Sequence, residues 1–136
     1  MFGSYLIILE LKEDRSIDVG SLGKLFFKKG FYVYVGSATG IISVERRVAR
    51  HKRLAQQKSG NIHWHIDYLL TDEKTEFLDC ITSDKDECDL SQKIEKIADD
   101  FITGFGRSDC TSGCASHLYF FEQEPYNKIW QFLNKK

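Results

Sequence analysis

Two tyrosines, an arginine and a glutamate occupy positions from which their side chains could act on a phosphate ester. Tyr5 follows Gly3-Ser4 at the head of one strand-like run, and Tyr34-Val35-Gly36 closes another. Arg46-Arg47-Val48-Ala49-Arg50-His51 comes soon after, and Glu87 lies in Asp86-Glu87-Cys88-Asp89-Leu90. Hydrolysis of a phosphodiester needs a nucleophilic water, a counter to the charge growing on phosphorus, and help for the departing oxygen. An arginine offers phosphate a planar fork of donors. A hard cation such as Mg²⁺ accepts one carboxylate and keeps several waters, so a single glutamate suffices to hold it. A phenol relays a proton, but its ordinary pKa of about 10 calls for a cation or a metal beside it. Arg47 and the metal are neighbours of that kind.

The formal net charge of −1 hides a segregation of charge along the chain. From Ile42 to Gly60 six Lys/Arg stand against one acid, and from Asp84 to Asp100 seven acids stand against three lysines. A nearly neutral protein with one basic helix still grips a polyanion locally, and an acidic segment can hold a metal. Arg46, Arg50, Lys52 and Arg53 are the candidate phosphate contacts. The plainer alternative is that both segments are ordinary solvated helix faces.

Four cysteines leave three states open: zinc, a disulfide or free thiols. Cys110-x3-Cys114-x2-His117 has ligand spacing, and Cys88 would complete a closed tetrahedral zinc site. The N-terminus lacks a basic segment and a small-residue cleavage site and reads better as a first strand than as a signal peptide, an expectation that argues against disulfides. His63-Trp64-His65 is a poor metal pair on a helix, because residues two apart do not share a face. A packed Trp64 flanked by a capping or phosphate-contacting histidine is expected instead.

These residues need elements to hold them, and the 136-residue length allows one domain with a substantial core. A hydrophobic fraction of 42% beside 29% charge reads as globular rather than disordered. No apolar run approaches the ~18 residues of a membrane span, so a cytoplasmic protein with no membrane partner is expected. Ser4 to Leu11, Phe31 to Val35, Glu76 to Ile81 and Leu118 to Phe121 read as strands, rich in β-branched and aromatic residues. Ser16 to Val19 and Lys24 to Phe27 are shorter extended runs, separated by Gly20 and Gly23. Helical spacing of apolar residues marks Ile41 to Gln56 and Asp86 to Ile102, and His63 to Leu70 reads as a short helix. Pro125 opens a terminal helix to Asn134, an extension of a single 1–136 domain. The alternation of strands and helices predicts an α+β fold, a small antiparallel or mixed sheet flanked by helices.

The tyrosine, arginine and glutamate pattern resembles the GIY-YIG nuclease superfamily. Within it, GSYLIILEL, LGKLFF, GFYVYVGSA, HWHIDYLL, ECDL, GFGRSDC and SHLYFF resemble the Uri-type endonuclease group over positions 3 to 121. That group occurs alone or fused to endonuclease III-like glycosylases. The resemblance implies that Tyr5 or Tyr34 positions or deprotonates water and that Arg47, which precedes an aliphatic residue, steadies the phosphate. It further implies that Glu87 binds one Mg²⁺ or Mn²⁺, with Asp89 as a substitute. His51, one turn after Arg47, would face the same site, and His65 or Asp67 would line the nucleic-acid groove. The shared Cys88 and Cys110 favour a link between those two cysteines. The implied partner is nucleic acid, DNA foremost, with a functional tie to a repair glycosylase.

The chain departs from the superfamily pattern in reading Gly-Ser-Tyr and in separating Tyr5 from Tyr34 widely. An extra hairpin between Ser16 and Phe27 would absorb that separation. The expected activity is metal-dependent phosphodiester hydrolysis. A non-catalytic nucleic-acid-binding module and a zinc-stapled interaction domain are the rival readings.

Overall fold

The computed structural model describes residues 3–38, 44–84, 86–105 and 116–133. Gly3–Leu11 (β1) pairs antiparallel with Gly30–Ala38 (β4) on one side and Thr75–Ser83 (β5) on the other. Leu118–Phe121 (β7) joins β4, and the two-residue strand Asp100–Phe101 (β6) joins β7. The sheet therefore runs β5-β1-β4-β7-β6 and is antiparallel throughout. Arg15–Asp18 (β2) and Lys24–Phe27 (β3) form a separate ribbon, the hairpin expected between the two tyrosines.

Successive residues of a strand face opposite ways, and both faces of this sheet are covered. Tyr5, Ile7, Leu9, Tyr32 and Tyr34 pack with Leu54 of α1 (Val44–Gln57) and with Ile66 and Leu69 of α2 (His65–Leu70). Leu6, Ile8, Val33 and Val35 pack with Leu90 and Ile94 of α3 (Glu87–Ile97) and with Ile129 of α4 (Tyr126–Leu133). Burial on both faces explains why β1 and β4 read as nearly unbroken apolar runs. The architecture is α+β. Among the described residues no helix is long and apolar enough to cross a membrane.

The second long helix is shorter than its apolar spacing predicts. It ends at Ile97, Ala98 turns extended (φ −79°, ψ 155°), and Asp100–Phe101 then pairs with β7. Asp99-Asp100 is a poor helix interior, and Phe101 buries its ring as readily from a strand. At the other end Asp86 accepts the N–H groups of Cys88 and Asp89 at 3.0 and 3.3 Å. That cap makes Glu87 the first helical residue, at the end of the sheet.

Candidate active site

The register of β1 and β4 brings the two tyrosines together. Tyr5 lies opposite Gly36 and Ile7 opposite Tyr34, so both phenols project from the face covered by α1. Gly36 is required by the Tyr5 ring, since a Cβ there would fall 2.6 Å from its Cε2. The Tyr-Val-Gly triplet thus makes room for the other tyrosine.

Helix α1 closes over this face. His51 is buried and its Nε2 lies 2.9 Å from the Tyr5 hydroxyl. Its ring also stands edge-on to Tyr34 and Trp64, at 6.2 and 6.1 Å between centroids. Arg47, one turn earlier, sets its guanidinium 4.4 Å from the Trp64 ring centre and donates from Nη1 to the Ser37 carbonyl at 3.1 Å. The Ser37 hydroxyl turns the other way and donates to Glu87 Oε1 at 3.1 Å. Glu87 Oε2 meets His117 Nδ1 at 2.9 Å. Ser37, the residue after the Tyr-Val-Gly triplet, therefore links Arg47 to Glu87 across the end of the sheet.

Burial dominates the electrostatics. It pushes both phenols well above their ordinary pKa, while the Arg47 guanidinium pulls in the opposite sense. Burial also holds the His51 imidazole down at about 4, against the pull of the Asp67 carboxylate. Tyr5 and His51 are consequently both neutral at pH 7.

The remaining basic residues divide into two sets. Arg46, Lys52 and Arg53 lie on the exposed side of α1. Arg50 instead grips Asp67 through both terminal nitrogens, at 3.0 and 2.9 Å, and also lies over Trp64 at 4.8 Å. Asp67 is fully buried, so it lines no groove. Burial pushes its carboxyl up, but Arg50 and the N–H groups of Trp64 and His63 more than offset this, leaving its pKa lowered. His65 is half-buried, its ring 5.6 Å from that of Phe105.

Of the sulfur ligands considered from the sequence, Cys88 is buried in the first turn of α3. Cys110 and Cys114 lie outside the described residues. His117, grouped with them by spacing, has its Nδ1 at Glu87. Ser37, Trp64 and the Arg50–Asp67 pair went unassigned as site-builders, and only the position of Ser37 directly after the triplet pointed to it.

A family model, described as a domain of unknown function, matches residues 4–136 and so spans every residue of this constellation. The chain belongs to the DUF123 family. No curated protein and no solved structure matches it. In this DUF123 domain Glu87 is the one carboxylate at the tyrosine site that would hold a hard cation, and among the described residues no group of three or more His, Cys, Asp or Glu side chains gathers to hold a metal. The Glu87 side chain is 19% exposed, and each of its oxygens accepts from one donor, which leaves each a further lone pair. Ser37 and His117 fix the carboxylate's orientation, the second layer of support a metal ligand needs.

Proposed function

We propose that this domain is a GIY-YIG nuclease of the Uri type that hydrolyses phosphodiester bonds in nucleic acid, DNA foremost. The observation that carries the reading is the Tyr5–His51 contact of 2.9 Å in a site where Ser37 joins Arg47 to Glu87. Tyr5 and His51 form a pair able to pass a proton away from an attacking water. As that water adds, phosphorus gains its oxygen and releases the bridging ester oxygen. Arg47, held by Ser37 and Trp64, directs the rest of its donor fork at the charge that accumulates. Glu87 would hold one Mg²⁺ or Mn²⁺, which when bound supplies further stabilisation of that charge. Arg46, Lys52 and Arg53 offer the polyanion an exposed basic surface beside the site. The tie to a repair glycosylase and the cytoplasmic setting rest on resemblance and sequence character.

Cleavage of a labelled panel (single-stranded, duplex, flap and mismatched DNA, and RNA) with Mn²⁺ tests the proposal. The wild type should cut at least one member, and Glu87→Gln should bind that substrate without cutting it. An undiminished rate in the variant would defeat the metal assignment. Binding without cutting across the panel would identify the domain as a nucleic-acid-binding module.

A further inference from the structure

The tyrosine–histidine contact continues inward to a third residue. His51 turns Nε2 toward Tyr5, and its other ring nitrogen, Nδ1, lies 3.8 Å from Asp67 Oδ1. His51 is 1% exposed and Asp67 0%, so bulk water does not fill that gap. Among the described residues Nδ1 has no hydrogen-bond partner. The carboxylate is otherwise held firmly. Oδ2 accepts from Arg50 Nη2 and the backbone of His63 and Trp64, whereas Oδ1 accepts from Arg50 Nη1. The free acceptor direction is therefore on Oδ1, the oxygen that faces His51.

A neutral imidazole carries its single proton on either Nδ1 or Nε2. With the proton on Nδ1, an N–H points at a buried negative charge. With the proton on Nε2, the Nδ1 lone pair would face that same charge at short range and low dielectric. Coulomb's law selects the first arrangement. We propose that Asp67 is a positioning residue that holds His51 as the Nδ1–H tautomer, leaving Nε2 to accept the Tyr5 hydroxyl proton.

The inference deepens the nuclease reading and rests on it for its catalytic meaning. It gives the relay a direction. The Tyr5 O–H bond breaks as an Nε2–H bond forms, leaving a phenolate beside Arg47 and an imidazolium beside Asp67. Burial opposes both ions, so the pair exists only in passing as the water is deprotonated. Arg47 favours the first ion and Asp67 the second, although Arg47 and Arg50 both work against the imidazolium. The other tautomer has no lone pair on Nε2 to receive the proton.

Long-range ¹H–¹⁵N correlation of histidine-labelled protein at pH 7 reads the tautomer of His51 directly. The wild type should show Nδ1 protonated and Nε2 bare. Asp67→Asn keeps the shape, removes the charge, and should give a mixed or reversed tautomer, with cleavage slowed about 10²- to 10⁴-fold. A wild-type spectrum with the proton on Nε2, or a tautomer unchanged in Asp67→Asn, overturns the proposal. The wild-type spectrum can overturn it alone, so a variant that fails to fold does not remove the test. The tautomer is read without substrate. A protein with Nδ1–H that cuts nothing retires the nuclease reading, while one that cuts with Nε2–H retires the role of Asp67.

Discussion

Arg50 and Asp67 form a two-pronged ion pair, Nη1 to Oδ1 at 3.0 Å and Nη2 to Oδ2 at 2.9 Å, with the carboxylate wholly inside the protein. The pair separates α1 into arginines with different tasks. Arg47 stands at the tyrosine site, Arg50 fastens α2 to α1, and Arg46, Lys52 and Arg53 remain on the exposed side. A helix that reads as one basic face thus places its basic residues in three different settings.

That division predicts opposite consequences for two alanine substitutions. Arg50→Ala leaves a buried carboxylate with its charge uncompensated and should cost about 3 kcal/mol in urea unfolding. Arg53→Ala should leave stability within about 0.5 kcal/mol. If the domain binds DNA as proposed, that variant should also lower the slope of log affinity against log salt by about 0.9. Equal stability losses in the two variants would contradict the division.

The contact between Gly36 and Tyr5 predicts a coupling measurable by a double-mutant cycle. Gly36→Ala drives a methyl group into the Tyr5 ring and should destabilise by about 1–3 kcal/mol. With Tyr5→Leu already present the ring is gone, and the same change should be neutral or mildly stabilising, as alanine is elsewhere in strands. Additive effects in the cycle would show that the ring does not need the glycine.

Much of the scaffold was legible because it is written locally. The runs around Tyr5 and Tyr34 are long, β-branched and aromatic, and they form β1 and β4. The ribbon between them answers the long spacing of the two tyrosines. Reading failed where a distant partner decides. Phe101 keeps helical spacing from Ile97, yet pairing with Tyr119 makes it a strand residue. Asp67 resembles a surface acid in HWHIDYLL, and its burial depends on Arg50, seventeen positions earlier. The contact of His117 Nδ1 with Glu87, thirty positions away, had no local sign either. Local pattern carries no information about such pairings until the sheet register is known.

The depressed basicity of His51 predicts how stability changes with pH. Its imidazole is held at about 4 in the folded protein, chiefly by burial, against an ordinary value of 6.5. Between those values the unfolded chain binds a proton that the folded protein refuses, so stability must rise with pH across that window. Acidification from pH 7 to pH 4 should therefore remove about 3 kcal/mol through this group. His65, lowered by partial burial, adds in the same direction. Asp67, whose carboxyl is lowered from 3.8, acts in the same sense but chiefly at more acidic pH, reaching only the lower end of this window. Urea unfolding of wild type and His51→Gln at half-unit steps from pH 4 to pH 7 isolates the contribution. The variant's curve should be the flatter by that amount, and parallel curves would mean that His51 is not held neutral by the fold.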